Sequence, residues 1–353
     1  MKLLKKLRFI AIFILFISCR QSVDNSRNNH VDISQDVIPF DTDSIQIGAG
    51  ARIYTSDSLV IIKDGQSNDM LLTIIDIQTL KTKGQIAKFG PGPDEVAVPG
   101  AVFIDRDNKS ISIFDYGQLK ISSYNIDSAL VMDKYCPTTI SNFNNQQFPD
   151  RYVHVNDTLG FARSITIDPK KKGYTQGICR YNITTGELTD ISGPSRMEGL
   201  KSLFGISVAD RIIAEGATNN DILNIYDFNG RLLHEIKGPD YEPQVVKGKV
   251  FFREIKVIPD YILAAYSGRA SGENAYSADR IHVYNHDGSY VKTLIIGKDI
   301  TDMAYDNTSN RLFCIFNDEN IWKNRSRLGQ CAGADWDTFD AAKLMIFSET
   351  VAF

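Results

Sequence analysis

Apolar residues fall in short runs separated by turn formers, and the clearest case is the stretch from Ile222 to Ile236. It reads Ile-Leu-Asn-Ile-Tyr-Asp-Phe-Asn-Gly-Arg-Leu-Leu-His-Glu-Ile, two β-forming runs around Asn229-Gly230. Both residues of an Asn-Gly pair tolerate the positive φ of a tight turn, so the stretch predicts a hairpin. Its first strand is apolar on both faces, Leu223 and Ile225 on one and Tyr226 and Phe228 on the other. Such a strand needs cover on both sides, which a lone hairpin cannot supply.

Further copies supply it. A short apolar strand preceded by a polar turn with Asp or Asn recurs six times, its first apolar residues being Leu59, Ile111, Leu159, Ile212, Ile262 and Leu312. The spacings are 52, 48, 53, 50 and 50 residues. A second pattern closes a strand before a turn: Ile75-Asp76, Tyr124-Asn125, Tyr181-Asn182, Tyr226-Asp227 and Tyr284-Asn285. Four of these predict hairpins, at Asp127-Ser128, Thr185-Gly186, Asn229-Gly230 and Asp287-Gly288. Each unit reads as strand, strand, turn, strand, with a connecting strand to the next. Four strands repeated at this period predict an all-β fold, a six-bladed β-propeller with four-stranded antiparallel blades, over 37–353. Ringed sheets cover one another's faces, whereas a β-helix needs shorter rungs and a sandwich would not repeat one motif six times.

The start of the chain is different. Lys2, Lys5, Lys6 and Arg8 precede an unbroken apolar run from Phe9 to Ile17, too short to span a bilayer as a stable helix. The run ends in Ser18-Cys19, which resembles the bacterial lipoprotein signal, in which the Cys becomes the acylated first residue. Residues 1–18 are therefore expected to be a signal peptide and Cys19 the lipidation site. The polar segment from Arg20 to about Asp36 gives a flexible tether over 19–36.

The whole chain carries 39 basic and 43 acidic residues; without the four basic residues of the signal, 35 stand against 43, about −8. That balance argues against nucleic acid as a partner. Cys136, Cys179, Cys314 and Cys331 form no C-x-x-C pair and lie near no His at metal-ligand spacing, so no metal is expected. In an oxidising envelope they could pair, but spacing leaves the connectivity open. Cys314, inside an apolar run, reads as a core residue.

The stretch Lys88-Phe89-Gly90-Pro91-Gly92-Pro93-Asp94-Glu95 follows the first unit. With the sixfold repeat and the lipoprotein start, it resembles the TolB-like six-bladed propeller lipoproteins of Gram-negative bacteria, related in shape to NHL-repeat propellers. That family typically has Gly-x-Gly-Pro-Gly-Glu after the first blade; here Pro93 and Asp94 precede Glu95. The resemblance spans about 37–318 and implies an envelope-anchored propeller, plausibly a binding or scaffolding module, with no enzymatic activity to carry over. Residues 322–333 fit a sixth blade poorly. Closure is expected from Val37 to Phe40, joining the two termini in one blade, or from Leu344 to Phe347.

Candidate chemistry is sparse. Gly90, Pro91, Gly92 and Pro93 could hold an anion on successive N–H groups, or form a rigid turn between blades with Glu95 capping or pairing locally. The loop lacks the Lys-Ser/Thr ending of a phosphate-binding loop. Asp57, Asp107, Asp157, Asp210 and Asp260 recur once per blade before what read as the inner strands, which suits either a calcium ion in the tunnel or turn chemistry alone. No G-x-S-x-G elbow or other catalytic set is present, and no cofactor is implied. Two polar, Tyr-bearing insertions, around Tyr174 and from Arg269 to Tyr276, lengthen blades three and five and suit sugar or protein contacts. The expected function is a non-enzymatic module, lipid-anchored in the envelope, at the outer membrane and facing periplasm or surface, that binds a protein or glycan. The alternative is a calcium-dependent propeller hydrolase or lyase acting on a sugar or lactone.

Overall fold

The six apolar runs of the repeat each form the second strand of a sheet, with a sheet on either side. The structure, a computed structural model, describes residues 26–39, 47–48, 50–56, 58–105, 109–144, 147–168, 173–191, 200–317, 325–332 and 345–348. Three short strands come first: β1 (His30–Asp32), β2 (Ile38–Pro39) and β3 (Ile47–Gly48). Blade one holds β4 (Arg52–Ser56), β5 (Leu59–Lys63), β6 (Met70–Asp76) and β7 (Thr82–Lys88). Blade two holds β8 (Pro99–Asp105), β9 (Ser110–Asp115), β10 (Lys120–Asn125) and β11 (Thr138–Asn142). Blade three is β12 (Gln147–His154), β13 (Gly160–Asp168), β14 (Gly173–Tyr181) and β15 (Leu188–Asp190). Blade four is β16 (Ser202–Ser207), β17 (Ile212–Ala217), β18 (Ile222–Asp227) and β19 (Leu232–Lys237). Blade five runs through β20 (Lys249–Val257), β21 (Tyr261–Ala270), β22 (Ala278–Asn285) and the first half of β23 (Tyr290–Asp306). The second half of β23 opens blade six, followed by β24 (Arg311–Asn317), β25 (Arg325–Ala332) and β26 (Met345–Ser348). Gly297, at a φ of 71°, sits where β23 passes from one blade to the next.

Within each blade, alternate side chains feed different cores. Val60 and Ile62 pack toward blade six while Ile61 packs toward blade two. Phe313 and Ile315 face blade one while Leu312, Cys314 and Phe316 face blade five. The hairpin of blade four obeys the two-faced pattern read from its sequence: Leu223 and Ile225 join the core with blade five, and Tyr226 and Phe228 the core with blade three. Six such cores lie between six pairs of neighbouring blades. Burial of both faces is why these strands are continuous apolar runs rather than alternating ones. Gly230 takes a φ of 82° in the predicted turn.

Four expectations need correction. Residues 26–36, read as tether, are folded onto the ring: β1 runs parallel to β23 with Val31 opposite Leu294, and Ile33 is buried between blades five and six. Polar composition concealed this because a few anchors, Arg27 and Ile33 chief among them, hold the segment. Arg325 to Ala332, read as a poor fit, form the third strand of blade six, paired with β24 through backbone bonds that are indifferent to side-chain pattern. Asp127 and Ser128 lie not in a hairpin but in a short helix, α1 (Ile126–Val131), capped by Asn125 accepting from Ser128 N at 3.0 Å. The supposed loop at 173 is strand, continuing the β13–β14 hairpin, while at 269 only Arg269 and Ala270 are strand, paired with β20, and Glu273–Tyr276 form a 3-10 turn. Both proposed closures occur: β2 and β26 each pair with β25, as does β3.

Strand direction fixes what meets at the centre. Among the first strands, β8 adjoins β12, β16 adjoins β20, and β23 lies against both β20 and β4. The meander then puts two sets of connections at one end of the ring: those entering the first strands and those joining second to third strands. The loop after Phe89 and the 270–278 connection belong to that entry end, as do the ends of β13 at Asp168 and β14 at Gly173.

Candidate functional site

The first strands carry charge at the axis. Arg151 of blade three donates from Nη1 to Glu254 Oε2 of blade five at 2.7 Å. Arg52 of blade one reaches the same oxygen at 3.4 Å and Asp302 Oδ1 of blade six at 3.2 Å. Lys256 Nζ lies 3.3 Å from Glu254 Oε1, and Ile53 N donates to Asp302 Oδ2 at 2.8 Å. Blades one, three and five are not neighbours, so these contacts cross the centre of the ring.

Local backbone irregularity aims these side chains. Register shifts fall between Asp150 and Tyr152, between Phe252 and Glu254, and between Ile300 and Asp302. A bulge re-aims a side chain by placing two residues opposite one. Arg151 is itself left-handed, with a φ of 51°, a strained conformation for a side-chain-bearing residue.

The electrostatics are uneven. The Glu254 and Asp302 side chains are only 2% and 4% exposed. Burial alone would raise the Glu254 carboxyl, but Arg151, Lys256 and Arg52 outweigh it and hold the group well below the usual carboxylate range. Asp302 is pushed up by burial and by the Glu254 charge, with Arg52 opposing. Around them stand cations that, among the described residues, bond no carboxylate. Lys63 Nζ donates to the Gly100 carbonyl at 3.0 Å, and burial beside Arg52 lowers its ammonium to about 8. Arg253 Nε donates to the Tyr276 carbonyl at 2.8 Å with its guanidinium 5.4 Å from the Tyr276 ring centre. Burial, Arg52 and Arg151 lower it to about 10. Further round the axis, Arg163 pairs with Asp150 and donates to the Ser202 carbonyl at 2.6 Å.

The residues singled out from sequence divide. Gly90, Pro91, Gly92 and Pro93 do form a tight loop, yet the anion it holds is the chain's own. Glu95 Oε2 accepts from Gly92 N at 2.9 Å, and Oε1 from Lys88 Nζ at 2.7 Å. A Cβ on Gly90 would lie 2.1 Å from Glu95 Oε2, so the carboxylate occupies the space a ligand would need. Gln118 and Lys120 close the loop by donating to the Gly92 and Pro93 carbonyls at 2.9 and 2.6 Å. Tyr174 is exposed on β14, away from the charge cluster's bonds. Arg269 is held by Asp279 and Asp299 at 3.1 and 2.7 Å. Tyr276 alone meets the cluster, through Arg253. Asp157, Asp210 and Asp260 are exposed in turns between first and second strands, at the end opposite the entry end; Asp57, Asp107 and Cys19 lie outside the described residues. Those turns precede the second strands, so the inner strands are the ones read as connectors.

Arg52, Lys63, Arg151, Arg253, Glu254 and Asp302 escaped the sequence reading. The available signal was charge inside apolar β-runs, as in Phe251-Phe252-Arg253-Glu254-Ile255 and Ile300-Thr301-Asp302-Met303. Neither run shows that its charges meet.

Ring and axial cluster together define a β-propeller, six-bladed, with its charged side chains gathered on the axis. A family model described as 6-bladed beta-propeller matches residues 15–172. Among solved structures, a member of the duf4221 family from Bacteroides vulgatus is similar with a TM-score of 0.54 and 13% identity, over 84% of this chain and 96% of that one. The calcium-binding protein regucalcin from Agrobacterium tumefaciens follows at 0.48 and 12%, over 81% and 88%. A structure titled as a nidogen/laminin complex gives 0.47 and 8%, over 71% and 80%. No curated protein matches the chain in sequence. At these identities the likeness speaks to the fold.

Calcium takes six to eight oxygen ligands. Here the two buried axial carboxylates already accept from Arg52, Arg151 and Lys256. Among the described residues, no three His, Cys, Asp or Glu side chains gather as a metal site.

Proposed function

We propose that the chain is a TolB-like envelope lipoprotein, anchored through Cys19, whose propeller binds a ligand at the entry end of its axis without transforming it. One observation carries this reading. The converging carboxylates Glu254 and Asp302 are engaged by guanidinium and ammonium groups, so among the described residues neither is free to hold a metal or act as a base, while Arg253 bonds exposed Tyr276 at the rim. Partner candidates are an envelope protein or a glycan. The mature protein is to be used as bait in envelope extract and on a glycan array, beside Tyr276→Ala. Capture lost in the variant supports a rim site; capture unaffected by it sinks the reading. Anchoring is tested separately, since Cys19→Ala should move the protein from the membrane to the soluble fraction, and unchanged fractionation refutes the anchor.

A further inference from the structure

We propose that the axial cluster is an oxyanion site, and that the ligand of the rim presents a carboxylate, phosphate or sulfate group to Lys63, Arg253 and the outer edges of Arg52 and Arg151. This rests on the rim-binding reading above and names the chemical class it takes.

The first argument is charge. Among the described residues, Arg52, Lys63, Arg151, Arg163, Arg253 and Lys256 stand with Asp64, Asp150, Glu254 and Asp302, so cations outnumber carboxylates there although the chain as a whole is acidic. Pairing removes Arg163 with Asp150, and Arg52, Arg151 and Lys256 share two carboxylates. Among the described residues, Lys63 and Arg253 are bonded to neutral carbonyl oxygens and to no carboxylate. Uncompensated charge in a partly dry site is costly to maintain, and the lowered proton affinity of both groups records that cost.

The second argument is unused donors. Arg52 and Arg151 each meet their carboxylates through Nη1 alone, and Arg253 uses only Nε. A guanidinium has five N–H donors in a planar fork, matched to the paired oxygens of a carboxylate or phosphate. The Arg52 side chain stays 34% exposed although its residue belongs to an inner strand, so it is within reach of a ligand entering there. The third argument is position. Arg52 begins β4, Lys63 ends β5, Gly100 lies near the start of β8 and Tyr276 lies between the second and third strands of blade five. All four are at the entry end, so an anion entering past Tyr276 meets the donors at once. The bulges at Arg151, Glu254 and Asp302 fix the geometry before a ligand arrives, which lowers the cost of ordering it.

The test is calorimetric titration of the full chain in neutral detergent with inorganic phosphate, citrate, glucuronate and, as the uncharged control, glucose. Saturable binding of at least one oxyanion, absent for glucose and weakened by added NaCl, is expected. Lys63→Met and Arg253→Gln should each lower affinity about tenfold or more, the size of one charge-assisted hydrogen bond. Neither residue pairs with a carboxylate, so both variants should fold; Arg280→Gln, on the surface beside Asp279, should bind as wild type. No saturable binding of any of the three anions, or binding that survives the Lys63→Met/Arg253→Gln double variant, overturns the oxyanion site. If a neutral glycan binds and Tyr276→Ala abolishes it, the rim reading stands and the oxyanion class falls. If binding of any kind ignores both Tyr276→Ala and the double variant, both fall.

Discussion

Lys63 is the residue at which stability and binding pull in opposite directions. Burial and, after it, the Arg52 charge lower its proton affinity, and Asp302, Asp150 and Asp64 only partly restore it. A lysine at about 8 in the fold against an ordinary 10.5 means the unfolded chain binds more protons between those values. Its contribution to stability therefore improves as pH rises from about 8 toward 10.5, and below about 8 the charge is a standing cost. Lys63→Met should raise the melting temperature of the ligand-free protein at neutral pH while weakening oxyanion binding; a lower melting temperature would contradict this account. For the wild type, anion affinity should fall as pH rises through about 8, with proton uptake on binding near that pH, seen as a buffer-dependent heat. Lys88 makes a control, because its bond to Glu95 raises it instead. An amine acylating reagent at pH 8 should label Lys63 ahead of Lys88, read by peptide mass mapping.

At the scale of elements, the segment before the first blade behaves as a clasp. Arg27 bonds Asp221 through Nη2 at 2.8 Å and Nη1 at 3.2 Å, and its guanidinium lies 5.0 Å from the Tyr266 ring centre. Asp221 is fully buried, and Arg27 nearly so. Removing one partner of such a pair strands the other charge, so Arg27→Ala should destabilise by about 3–5 kcal/mol. Chemical denaturation measures it, and a loss under about 1 kcal/mol would mean that the pair behaves as a surface contact. The clasp was not legible in the sequence. Arg27 sits among Ser, Asn and Asp, a solvated composition, and its partner lies 194 residues away. The Gly90–Pro93 loop shows the converse case: of its two readings, anion cradle or rigid turn, the fold keeps the turn, with Glu95 bonded to Gly92 N and Lys88.

At the scale of the whole molecule, ring closure depends on both ends of the chain. Phe313 and Ile315 of blade six share a core with Ile53 and Val60 of blade one, and Asp302 accepts from Ile53 N across the same seam. β25 then covers the outer edge of β24. Truncation after Asn317 should leave that edge unpaired, and an open edge recruits another strand. Light scattering after size exclusion should show oligomers for the truncated chain; a monomer with unchanged melting temperature would show that the outer strands of blade six are dispensable. Axial pairs joining blades one, three and five add ties between blades with no common core. They should make unfolding of the ring cooperative rather than blade by blade.

The sequence by itself determined the number of blades, the second strand of each and the two-faced hairpin of blade four. Those follow from local alternation and a fixed period, which depend on residues close in the chain. It left the recurring turn acids open between calcium and turn chemistry; the fold places Asp157, Asp210 and Asp260 in exposed turns at the far end of the ring, and Asp210 N bonds Ser207 Oγ locally. The tertiary structure alone decided where charge collects. Arg52, Arg151, Glu254 and Asp302 come together over separations of up to 250 residues, through bulges that no local pattern announces. A charge within an apolar strand looks like a defect until the ring closes and supplies its partner, and only then can unpaired cations be told from paired ones.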